Sequence, residues 1–80
     1  MLHNHPEPDL AALRHVFNDY RARSNMTYDD LAEATGISRR TLLNISSGTY
    51  NGDLRTWLIL SRVWGTPLDA MMAPLWKTSV

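Results

Sequence analysis

Cysteine is absent from this eighty-residue chain, which excludes both a disulfide framework and a thiolate metal site. Long apolar runs are absent too. Runs such as Trp57-Leu58-Ile59-Leu60, which none exceeds, are far short of the roughly 20 residues a membrane span needs. The start, Met1-Leu2-His3-Asn4-His5-Pro6, is polar and followed by acid, so no signal peptide is read there. No glycine-rich phosphate loop and no metal-spaced His/Asp/Glu cluster occurs. His3 and His5 offer two ligands without a third, and Asp29 and Asp30 are adjacent rather than facing. The expectation is a cytosolic, non-enzymatic domain with no metal, no cofactor, no small-molecule ligand and no membrane partner.

An excess of charge of one sign is also missing, since the formal net charge is zero. Its distribution is uneven, however. Residues 1–33 carry Glu7, Asp9, Asp19, Asp29, Asp30 and Glu33 against Arg14, Arg21 and Arg23, a balance of −3. Residues 34–64 carry Arg39, Arg40, Arg55 and Arg62 against Asp53, a balance of +3. With few cations available, any binding to a polyanion should be weak in its non-specific part, with a shallow salt dependence.

What is there is helical punctuation. In the stretch from Thr27 to Gly48, Thr27 is an N-cap, and Asp30 three residues on can return a bond to it as in a capping box. Asp29 and Asp30 sit in the first turn, where the helix dipole favours negative charge. Leu31, Ala32 and Thr35 fall on one inward face, and Gly36 supplies the left-handed conformation that ends the helix. Ile37 plugs the core and Ser38 caps a second helix, in which Leu42 and Ile45 point inward. Arg39, Arg40, Leu43, Asn44 and Ser47 are left outside, and Gly48 closes the helix.

Two short helices joined by a tight glycine turn make a helix-turn-helix. A solvated outer face usually mixes Glu with Lys, whereas no acid occurs from Arg39 through Gly48. The planar fork of arginine pairs bidentately with guanine and the amide of asparagine with adenine. These residue types suit base reading better than solvation.

Leu31-Ala32-Glu33-Ala34-Thr35-Gly36-Ile37-Ser38-Arg39-Arg40-Thr41-Leu42 resembles the Leu-Ala-x-x-x-Gly-Val-Ser-x-x-Thr-Ile core of the phage repressor and Cro (XRE-type) helix-turn-helix family. The similarity runs on through Gly48 into Gly65-Thr66-Pro67-Leu68-Asp69-Ala70-Met71-Met72, which is similar to the family's closing turn and fifth helix. It reaches back to Arg21, Asn25 and Met26, and so covers roughly residues 10 to 73. The resemblance implies an all-α, compact five-helix bundle of the lambda repressor-like DNA-binding class. It implies a sequence-specific regulator of double-stranded DNA acting by operator occupancy, encoded by a phage or mobile element.

Carried over by position, the resemblance makes Arg39, Arg40 and Asn44 the base readers, with Leu43 placed to meet a thymine methyl group. It places Tyr28 and the loop from Thr49 to Asp53, Asn51 included, against phosphates. Ser38, Thr41, Ser47 and Arg55 complete the expected phosphate-facing set. Three positions depart from the family pattern. Tyr28 replaces a glutamine, and Asn25 stands where glycine is common. Ser46 replaces a glutamate that in many members pairs with the arginine matching Arg21, so Arg21 is expected to find another partner or water.

Around the motif, residues 1–8 read as a flexible leader, 9–73 as the domain and 74–80 as a tail. The first helix is expected from a cap at Asp9 to about Arg23, with Leu10, Leu13, Val16 or Phe17, and Tyr20 inward. Tyr50-Asn51-Gly52-Asp53 is a turn, and Asp53 caps a fourth helix with Leu54, Trp57, Leu60 and Trp64 as its stripe. Leu58, Ile59 and Val63 broaden that stripe beyond what one core needs. A short fifth helix is expected from Leu68 to Met72, after Pro67. Met71, Met72, Leu75 and Trp76 concentrate apolar surface; either Trp76 folds back on the core or the group forms a homodimer contact, and the dimer is the favoured expectation. The alternative function is a protein-interaction module on the same fold, an antitoxin or phage modulator using the apolar surface of the fourth and fifth helices.

Overall fold

The computed structural model describes residues 5–76. Leader residues 1–4, His3 among them, and tail residues 77–80 lie outside the described residues. Five α-helices are present: α1 (Leu13–Ser24), α2 (Tyr28–Thr35), α3 (Arg39–Ser47), α4 (Leu54–Trp64) and α5 (Leu68–Met72). Short 3₁₀ turns at Leu10–Ala12 and Ala73–Leu75 flank them, and there is no strand among the described residues. The fold is all-α. No helix of the described residues is long and apolar enough to cross a membrane.

The punctuation works locally as its chemistry dictates. Thr27 accepts from the Asp30 amide and the Asp30 carboxylate accepts from the Thr27 amide, a complete capping box. Ser38 accepts from the Thr41 amide and Asp53 from the Thr56 amide, each satisfying a donor that the first helical turn leaves open. Asn25 takes the left-handed conformation, with φ of 60°, at the end of α1. Asparagine is the best non-glycine occupant of such a site. At Gly36, with φ of 74°, a Cβ would meet nothing within 4 Å, so the left-handed turn alone calls for glycine there. Gly52 has a second reason: a Cβ on it would stand 2.8 Å from Nε1 of Trp57, whose indole donates to the Asn51 carbonyl.

The core is drawn from every helix: Leu13, Val16 and Phe17, Leu31, Ile37, Leu42 and Ile45, Trp57 and Leu60, Met71 and Leu75. Phe17 sits at its centre, edge-on to Trp57 and Trp64 and stacked near Tyr28. Val16 and Phe17 are both inward, where one of them was expected.

Two leucines assigned to inward stripes are outside. Leu10 is 49% exposed because the chain enters through a 3₁₀ turn, the Asp9 side chain makes no cap bond, and the α-helix begins only at Leu13. Leu54 is 66% exposed. It opens α4 directly after the cap, and the Asn51–Gly52 loop, not Leu54, roofs Trp57. Thr56 takes the inward place in that first turn. At the other end Leu75, rather than Trp76, folds back on the core. Its carbonyl accepts from the Asp9 amide at 2.8 Å, which ties the segment before α1 to the 3₁₀ turn after α5 and leaves Trp76 53% exposed.

Candidate nucleic-acid interface

The outer face of α3 is where the sequence places it. Leu42 and Ile45 anchor the inner side, and this rotation puts Arg39, Arg40, Leu43 and Ser47 in solvent with Asn44 and Thr41 half-buried. Arg39 and Arg40 open the helix immediately after the Ser38 cap. The side chains that reach farthest therefore sit at its N-terminal end, the end that a recognition helix turns toward base edges. The hydroxyls around α3 are already organised. Ser38 donates to Thr41 at 2.9 Å, and Ser47 Oγ lies 2.8 Å from Thr49 Oγ1. Asn51 and Arg55 are exposed beyond them.

The position of α3 is fixed by a polar junction linking three helices. Asn18 of α1 donates from Nδ2 to the Ser46 carbonyl at 3.0 Å and accepts from Ser46 Oγ at 2.6 Å. The Tyr28 hydroxyl of α2 donates to the same Ser46 Oγ at 2.8 Å. Tyr28 thus directs its hydroxyl to this part-buried junction rather than to the outer surface. Arg21 lays its guanidinium over the Tyr28 ring, 4.4 Å from the centroid, and donates to the Met26 carbonyl at 3.2 Å. The partner that replaces the family's glutamate is therefore an aromatic face and a backbone oxygen. Arg21 Nε is buried with no hydrogen-bond partner.

Two further groups border the outer face of α3. Asp29, in the first turn of α2, stands with Oδ1 3.3 Å from Nε of Arg39. Arg14 of α1 runs against Gly48, and together with Ala11, Ser47 and Asn51 lines a cleft of about 160 Å³ beside the loop that follows α3. Neither Asn18 nor Arg14 nor the Asp29 pairing is marked in the sequence by a local signal, because each depends on how helices dock. The titration of Asp53 is displaced. Hydrogen bonds from Thr56, side chain first and then backbone, hold its carboxyl below the usual value, with Arg55 adding a smaller pull in the same direction. No group of three or more metal-ligating side chains is assembled among the described residues.

A family model described as Helix-turn-helix matches residues 18–71, two-thirds of the chain and all of the geometry above from Asn18 to Met71. The chain belongs to the XRE-type helix-turn-helix family. Its similar relatives include an uncharacterized HTH-type transcriptional regulator of Methanocaldococcus jannaschii, 34% identical over 50 residues, 62% of this chain and 76% of that one. Two uncharacterized HTH-type transcriptional regulators of Archaeoglobus fulgidus are each 30% identical over 57 residues, 71% of this chain and 80% and 81% of theirs. No solved structure matches the chain. The matched residues include α2, the Gly36 turn and α3.

The residues expected at a dimer contact are divided by the structure. Met71 and Leu75 are buried in the chain's own core, Met72 is half-buried, and Trp76 is exposed. Only the last two have side-chain surface left to offer.

Proposed function

We propose that this protein is a Cro-like transcriptional regulator that binds a specific double-stranded DNA operator and acts by occupying it. One observation carries the reading: α3, which itself contains no acid, presents Arg39, Arg40, Leu43 and Asn44 outward and is held from behind by Leu42, Ile45 and the Asn18–Ser46 pair. Arg39 and Arg40 would read guanine, Asn44 adenine and Leu43 a thymine methyl, each good bidentate pair supplying about 1–3 kcal/mol of discrimination. Ser38, Thr41, Ser47, Thr49, Asn51 and Arg55 would position the duplex through its phosphates, whereas Tyr28, whose hydroxyl is bonded to Ser46, would not. The archaeal relatives, HTH-type transcriptional regulators by name, support transcription regulation, and the repressor-like pattern supports a phage or mobile-element source. A homodimer using Trp76 and Met72 would set two α3 helices one turn of DNA apart on a palindromic site.

The test is binding of the double variant Arg39→Ala/Arg40→Ala to the wild-type protein's selected duplex. Loss of more than about tenfold in affinity, at least 1.4 kcal/mol, supports the reading. Undiminished binding would overturn it. It would move the working face to α4, where Leu54 and Leu58 are exposed and a groove of about 510 Å³ runs along Ala34, Leu58, Ile59, Arg62 and Val63.

A further inference from the structure

We infer that Asp29 is a positioning residue that sets the base specificity of Arg39. The inference rests on the DNA-reading function proposed above and names a determinant of it outside the recognition helix.

The geometry is specific. Asp29 and Arg39 belong to different helices of the motif, and both side chains are largely in solvent, 85% and 59% exposed. Their pairing therefore does not result from packing. The carboxylate meets Nε, the inner end of the guanidinium, with Oδ1 at 3.3 Å. A guanidinium is flat and offers two donor edges, Nε with one terminal nitrogen and the two terminal nitrogens together. A carboxylate drawn to Nε competes for the first and leaves the terminal pair, which has bidentate geometry for guanine O6 and N7, to reach a base. A free arginine can swing to a phosphate, which any sequence offers. An arginine held by its Nε edge has fewer such alternatives and loses less side-chain entropy when it reaches a base. Arg40, next along the helix, has no ion pair among the described residues and lacks this restraint.

The pair also works against indiscriminate binding. Asp29 places a negative charge beside the surface that meets a polyanion, which opposes docking on any duplex. That cost is offset only where Arg39 finds its guanine. Removing the charge should therefore raise affinity for random DNA while lowering discrimination at one base pair. A merely structural acid in the first turn of α2 would leave that discrimination unchanged; its loss would show in helix stability and in uniformly tighter binding alone.

The experiment uses the full chain and duplexes that vary one base pair at a time in the site selected by the wild type. Arg39→Ala first identifies the base pair that Arg39 reads. Asp29→Asn is then expected to reduce discrimination at that pair about fivefold, the upper range for an exposed ion pair. It should leave the other positions unchanged and tighten binding to random duplex. Asp29→Glu should restore part of the preference, and Asp29→Asn should do nothing further in an Arg39→Ala background. A wild-type preference at the Arg39 base pair that Asp29→Asn leaves intact overturns the role of Asp29 alone. A wild type with no preference at any base pair overturns the DNA reading and this inference with it.

Discussion

Replacing Asn18 by alanine tests how α3 is held. The substitution removes two hydrogen bonds between α1 and α3: Nδ2 to the Ser46 carbonyl, and Ser46 Oγ to Oδ1. At about 1 kcal/mol net for each part-buried bond, the gross loss is about 2 kcal/mol. Asn18 lies within α1, however, where alanine is the better helix former by up to about 0.7 kcal/mol. The net cost should be about 1–1.5 kcal/mol, which lowers the thermal midpoint of a domain this size by roughly 5–10 °C. Urea denaturation followed by circular dichroism measures it. A double-mutant cycle with Ser46→Ala should return a coupling of at least about 0.5 kcal/mol, since the two side chains share one bond directly and a second member, Tyr28, through Ser46. A variant as stable as the wild type, with an additive cycle, would refute the reasoning. Water would then replace the Asn18 bonds at no cost, and α3 would be held by Leu42 and Ile45 alone.

Other consequences can be measured in the same way. Gly52→Ala should cost more than Gly36→Ala. Both take on the roughly 1–2 kcal/mol penalty of a left-handed alanine, but only the first also drives a Cβ to 2.8 Å from Trp57 Nε1, and tryptophan fluorescence should report the shift. The Asp53 carboxyl, lowered by its bonds from Thr56, contributes stability above its unfolded value near 3.9 that is lost as pH falls through the folded value. The stability difference between wild type and Asp53→Asn should therefore shrink in urea titrations between about pH 5 and pH 2. Arg14→Ala should weaken binding to all duplexes alike and reduce the salt slope by about one, as expected for a cation beside the Ser47–Asn51 loop. Leu54→Ser should leave the unfolding free energy within about 0.5 kcal/mol of the wild type, whereas Leu60→Ala, fully buried, should cost about 2–5 kcal/mol.

The features legible in the sequence are those decided within one helical turn. The Thr27–Asp30 capping box, the Ser38 and Asp53 caps and the left-handed Asn25 and Gly36 each involve residues no more than three or four apart. They set the helix boundaries, and the boundaries set which face of α3 carries Arg39 and Arg40. Leu31, Leu42, Ile45 and Leu60 followed from periodicity because each lies well inside its helix. Leu10 and Leu54 did not. Periodicity assigns a face but not how far the core extends along it, and both leucines stand at a helix entrance beyond the core's edge. The Asn18–Ser46 pair spans 28 positions, and the Asp29–Arg39 pair crosses from one helix to the next. Contacts of this kind appear only once the helices dock. Asp29 already had a sufficient local role as a first-turn acid, which hid its second one. Met71 and Leu75 read as surplus apolar surface because nothing local shows that the chain end turns back to meet the Asp9 amide.

The most direct test of the central claim is selection of bound sequences from random duplex DNA at about 0.1 M salt, where charges are screened beyond roughly 10 Å. The account predicts enrichment of a palindrome whose half-site contains guanine at the positions met by the N-terminal end of α3. Selection that enriches no sequence at all would contradict it.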